Sequence, residues 1–127
     1  AVMSTDSPPG VVFSPDLMMR QKLVGELTAI GVAARGAATP TRLAGALDDG
    51  AAALMIELDG VGINGPGLVT QITGSHPTLP VLGFCAHTRT ELIDAATAAG
   101  ARVVVSRGEL TRRLAPVLDQ LLGRDAI

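Results

Sequence analysis

Two carboxylates, Glu57 and Asp59, follow directly on an apolar run at residues 51–56 and lead into a loop holding Gly60, Gly62, Gly65, Pro66 and Gly67. A short apolar run without alternation suits a strand buried on both faces of a parallel sheet. Such a strand delivering acids into a glycine-rich loop is the layout of a site at the carboxyl end of a parallel sheet. The loop has neither the lysine of a phosphate-binding loop nor the GxGxxG of a dinucleotide site, so its glycines are read as accommodating a sharp turn. The remaining reactive types stand alone. His76 and His87 lack metal-ligand spacing and read as surface loop residues, and Cys85 reads as a small buried hydrophobe. Asp59 by itself reads as a solvated strand-end acid.

Composition narrows the choice further. The chain has 127 residues, enough for one domain with a real core, and is 47% hydrophobic with only two aromatics, both Phe. The absence of Trp and Tyr speaks against stacking on bases, sugars or a flavin. A net charge of −2 with scattered basic residues leaves no electrostatic footprint for nucleic acid. One cysteine excludes an internal disulfide and provides no metal cluster, which fits a reducing, cytoplasmic setting. No apolar run approaches the ~20 residues of a membrane span. Residues 1–9 read as a flexible leader without the pattern of a signal peptide, residues 10–123 as the domain and residues 124–127 as a tail.

Five apolar strands alternate with helices, the pattern of a doubly wound parallel α/β sheet. Strands are expected at residues 10–14, 32–36 (at an edge, since it includes Arg35), 51–56, 80–84 and 102–105. Asp16 is placed to cap the first helix, whose apolar stripe is read as Leu17, Gln21, Val24, Leu27 and Ile30. Thr39 with Pro40 starts the second helix, which carries Leu43, Ala46 and Leu47. A third helix is expected over residues 66–73, with Leu68, Val69 and Ile72 on one face. Thr88 and Glu91 have capping-box spacing before the fourth, as have Ser106 and Glu109 before the last. Leu110, Leu114, Val117, Leu118, Leu121 and Leu122 predict one long final helix. Right-handed crossovers with helices on both faces favour the flavodoxin-like (βα)5 order 2-1-3-4-5. That order places Ser14 and Pro15 beside Glu57 and Asp59, with Cys85 and Arg107 along the same edge.

Over residues 10–122 the chain resembles the receiver domains of bacterial response regulators. The stretch "IELDGVGINGPGLVTQI" resembles that family's "LLD..MP..DG..L...I", and "AATAAGARVVVSRGEL" resembles "AL..GA..YL.KP...L". "LPVLGFCA" stands where the family has an apolar strand ending in Thr-Ala or Ser-Ala. The resemblance implies phosphoryl transfer to an Asp after the third strand, with Mg²⁺ held by two acids after the first. A hydroxyl after the fourth strand and a lysine after the fifth would contact the phosphoryl oxygens. Matching Gly65, Leu68 and Ile72 to the family's spacing puts Glu57 at the acceptor position. Ser14 and Pro15, followed by Asp16, then fall at the acid pair, Cys85 at the hydroxyl and Arg107 at the lysine. Gly108 takes the place of the proline after that lysine, and Val104 that of the switch aromatic. A competing register, using Gly67 and Leu68, makes Asp59 the acceptor and leaves Glu57 deeper on the strand.

Mg²⁺ requires several oxygen ligands, and Ser14 offers one neutral oxygen while Pro15 offers only a carbonyl. Without the metal an incoming phosphoryl group meets an uncompensated carboxylate, and electrostatic stabilisation supplies most of the catalysis of this transfer. What remains is Glu57 facing Arg107, a pair able to form a forked, two-bond contact. The expected protein is a degenerate, non-enzymatic receiver with no cofactor and no metal. It would bind a protein partner or itself through the fourth helix, fifth strand and fifth helix, a surface the resemblance implies, and would bind neither nucleic acid nor membrane. The other class open to the fold is a flavodoxin-like small-ligand binder or enzyme, which the missing aromatics and the missing Ser/Thr-rich loop after the first strand oppose.

Overall fold

The computed structural model describes residues 8–86 and 89–123. The expectations for residues 1–7, His87, Thr88 and residues 124–127 lie outside the described residues. Five parallel strands, β1 (Gly10–Phe13), β2 (Ala34–Ala37), β3 (Ala53–Glu57), β4 (Val81–Cys85) and β5 (Val103–Ser106), form one sheet in the order β2-β1-β3-β4-β5. This is the expected doubly wound topology, with β2 at an edge. The helices are α1 (Leu17–Ala29), α2 (Pro40–Asp48), α3 (Gly65–Ser75), α4 (Thr90–Ala99), α5 (Arg107–Arg112) and α6 (Leu114–Leu122). Among the described residues no helix is long and apolar enough to cross a membrane.

Alternation along the strands divides the core in two. Leu54 and Ile56 face one layer with Val11, Phe13, Leu43, Val69 and Ile72, beneath α2, α3 and α4. Ala53 and Met55 face the other with Val12, Leu23, Leu27, Phe84 and Leu110, beneath α1, α5 and α6. All five residues of β3 and of β4 are buried, as strands covered on both faces must be. The chain's only aromatics, Phe13 and Phe84, are fully buried, one in each layer. Just before β1, the Pro9 carbonyl accepts from the Ala52 N–H at 2.9 Å.

Several caps act as the residue types dictate. The Asp16 carboxylate accepts from the Met18 and Met19 N–H groups, Thr39 Oγ1 from Arg42 N–H and Ser106 Oγ from Glu109 N–H. Asn64, which sequence reasoning passed over, caps α3 by accepting from Gly67 N–H. Residue Arg89 stands at the N-cap of α4 without a side-chain capping bond.

Two expectations are corrected. Leu27 of the expected α1 stripe is buried and Val24 packs half-buried on the core, but Leu23 completes the buried face while Leu17, Gln21 and Ile30 face solvent. The final helix is two helices, broken at Arg113 with φ −133° and ψ 42°. Pro116 explains the break: in a continuous helix its ring would meet the Arg112 carbonyl, whereas in the first turn of a new helix its missing N–H is no loss. The leucines still reach the core, with Leu110, Leu114, Leu118 and Leu121 all buried.

Candidate functional site

The carboxyl ends of β1, β3, β4 and β5 converge on a cleft of about 260 Å³ lined by Pro15, Asp16, Glu57, Asp59, Gly60, Val61 and Arg107. Glu57, the last residue of β3, has a side chain only 4% exposed, and both of its oxygens are engaged. Ser14 Oγ, itself fully buried, donates to Oε1 at 2.5 Å, and Arg107 Nη2 donates to Oε2 at 2.7 Å. Ser14 is fixed in turn, since its Oγ accepts from Asp16 N–H at 3.0 Å and its carbonyl accepts from Arg20 Nη1 at 2.7 Å. Arg20 was missed in the sequence, where nothing marks it. It reaches the site because its side chain crosses Gly36, where a Cβ would lie 3.0 Å from Arg20 Cγ.

Asp59 is not the solvated acid that its position suggested. Its side chain is 8% exposed, with Oδ1 accepting from Arg107 Nη2 at 3.3 Å and Oδ2 from Ala86 N–H at 3.1 Å. The sheet ladder explains this arrangement. Leu58 N–H donates to the Phe84 carbonyl, so the next ladder bond would run from Ala86 N–H to the Leu58 carbonyl. The chain instead turns at Leu58 and packs that carbonyl against Gly65, where a Cβ would lie 2.4 Å from it. The Asp59 carboxylate takes the bond the ladder leaves open. The expected fork between Glu57 and Arg107 is likewise corrected: a single nitrogen, Nη2, serves both acids.

The loop glycines answer to packing more than to turning. Among the glycines of residues 60–67 only Gly62 has a positive φ, +75°. Gly60 lies under the Pro15 ring, and a Cβ there would sit 2.8 Å from Pro15 Cγ. Val104 is half-buried against the layer beneath α2, α3 and α4, away from the cleft lining.

Cys85 closes β4 fully buried. Burial pushes its thiol pKa up and the Asp59 carboxylate adds to the rise, while the Arg89 and Arg107 guanidiniums pull the other way. The folded chain therefore keeps the thiol proton to higher pH than the unfolded chain does. The stability tied to this group is complete below the ordinary thiol pKa and is lost as pH rises past it. Alkylation by iodoacetamide at neutral pH, followed by intact mass, is expected to be far slower in the folded protein than in urea. Between about pH 8 and 9.5 the urea midpoint should fall more steeply than in Cys85→Ala.

Asp16 gives Oδ1 to the α1 cap, and each oxygen of Glu57 and of Asp59 accepts from a protein donor. Among the described residues no group of three or more His, Cys, Asp or Glu side chains is placed to hold a metal. With Ser14 and Pro15 standing where the receiver resemblance implies an acid pair, the residues present fall short of the carboxylate ligands it implies for Mg²⁺.

No protein-family model matches the chain, and no curated protein matches its sequence. Solved structures do match its fold. The receiver domain of NtrX from Brucella abortus is similar at 24% identity and a TM-score of 0.83, over 90% of this chain and 98% of that one. Against a longer NtrX structure the TM-score is 0.84, and the alignment covers 91% of this chain but 27% of that one. The Vibrio cholerae chemotaxis protein CheY4 is similar at 18% identity and a TM-score of 0.80, over 90% of this chain and 98% of that one. The chain has the fold of response-regulator receiver domains.

Proposed function

We propose that this chain is a receiver-like signalling module of the two-component type that works by binding a protein partner, without phosphorylation, Mg²⁺ or catalysis of its own. One observation carries the reading: Glu57, at the acceptor position, is buried with one oxygen bonded to Ser14 and the other to Arg107. An acceptor must present a free oxygen in line with the incoming phosphorus, and phosphoryl transfer needs cations to neutralise charge as it develops. Here the guanidinium that reaches Glu57, that of Arg107, is already shared between two carboxylates. Cys85 at the hydroxyl position is a buried thiol, a weak donor. The network ties β1, β3 and β5 together and holds the domain in one state. The partner, or a second copy, would meet the surface of α4, β5 and α5, in the cytoplasm of a bacterial cell.

Incubation with acetyl phosphate and Mg²⁺, followed by intact mass, is expected to leave the protein unmodified. A stable phosphoryl adduct overturns the reading, and an adduct mapped to Asp59 would select the register in which that residue is the acceptor. The flavodoxin-like ligand-binding reading has no support in the cleft, whose lining contains no aromatic side chain.

A further inference from the structure

We infer that the Ala86 N–H and the Arg107 guanidinium form an oxyanion seat that the chain fills with its own Asp59 carboxylate, so that this residue acts as a built-in anionic ligand. The inference rests on the reading above and adds how the site is kept closed. A backbone N–H at a strand end and a guanidinium converge on one carboxylate, at 3.1 Å on Oδ2 and 3.3 Å on Oδ1. Both donor types recognise oxyanions wherever they converge, and a bond from either to a carboxylate is charge-assisted. Asp59 reaches the seat from the loop between β3 and α3. Ala86 follows β4, and Arg107 opens α5. One carboxylate therefore ties together the β3–α3 loop, the end of β4 and the start of α5.

The class of ligand follows from the charges. Glu57 also holds Arg107 Nη2, so the seat is matched to a small monoanionic carboxylate, and a phosphate dianion would be repelled by Glu57. While Asp59 is present, an external oxyanion gains nothing by competing with a tethered one, whose effective concentration is far higher. Removing the Asp59 side chain vacates the seat and leaves its two donors in place.

The test is chemical rescue. In Asp59→Ala the Ala86 amide is expected to exchange its hydrogen about tenfold faster than in the parent, the effect of losing one net hydrogen bond of roughly 1.4 kcal/mol. Sodium formate should raise the thermal midpoint of Asp59→Ala relative to sodium chloride at equal ionic strength, and slow that exchange again. Formate should leave the parent protein unchanged, together with the double variant Asp59→Ala/Arg107→Gln and Asp59→Asn, whose amide oxygen still fills the seat. A folded Asp59→Ala that ignores formate overturns the inference, as does an equal response in the parent or the double variant. If Asp59→Ala does not fold in chloride, folding recovered by formate supports the seat and no recovery overturns it. A phosphoryl adduct on the parent protein would sink the underlying reading, whereas a failed rescue sinks only the seat.

Discussion

Arg107→Met is expected to lower the stability of the folded chain by about 2–3 kcal/mol, read from urea unfolding at neutral pH. The methionine keeps much of the arginine stem and removes the one cation that, among the described residues, is ion-paired with Glu57 and Asp59. Two carboxylates, 4% and 8% exposed, are then left close together without a counter-charge. Breaking a fully buried pair costs about 3–5 kcal/mol. The lower figure applies because Arg107 is 44% exposed and water would replace part of what it supplies. Glu57 would still hold Ser14, and Asp59 would still hold Ala86. Arg107→Lys separates charge from shape. Since one nitrogen makes both contacts, an ammonium in the same place should retain most of the stability and stay within about 1 kcal/mol of the parent. A lysine variant as unstable as the methionine variant would mean that the planar fork matters after all.

Gly65→Ala is expected to cost about 3 kcal/mol, at the upper end for overpacking. The added Cβ would stand 2.4 Å from the Leu58 carbonyl oxygen and 2.5 Å from Leu58 Cα. Both are backbone atoms, so no rotamer change relieves the clash. Leu58 cannot retreat, because its N–H is bonded to Phe84 at 2.9 Å and its side chain fills the space where Gly83 has none. Moving α3 away instead would drag on Val69 and Ile72, which are buried against the sheet. Gly25→Ala, in an exposed turn of α1 with nothing within 4 Å of its Cβ, should instead stabilise by about 0.5–1 kcal/mol. Thermal unfolding of the two variants beside the parent checks both signs. Equal behaviour would mean that the contact at Leu58 is not tight.

Both predictions turn on facts of different visibility in the sequence. Gly65 was picked out by spacing, as the glycine eight positions after Glu57, but the reason for glycine there is the approach of the Leu58 backbone. That distance belongs to the β3–α3 turn and has no local signature. The α1 stripe held only in part for a related reason: Leu17 and Ile30 fit the helical period as well as Leu23 does, and only the seating of α1 on β1 and β2 chooses the face. The break at Arg113 is open to sequence reasoning, because Pro116 sits inside the helix that the leucine spacing alone predicts.

Strand order, the burial of β3 and β4, the caps at Asp16, Thr39 and Ser106, and the meeting of Ser14, Glu57 and Arg107 at one edge were determined by local chemistry and chain topology. Apolar period, capping side chains and the handedness of crossovers act over a few residues or by general rule, so one sequence suffices to read them. Tertiary structure alone decided what the side chains at that edge do: that Arg107 gives one nitrogen to two acids, that Asp59 completes the β3–β4 ladder, and that Arg20 steadies Ser14. Hydrogen bonds in a cleft depend on differences of about an ångström between segments far apart in the chain. Those distances are set by how two layers of helices settle on the sheet.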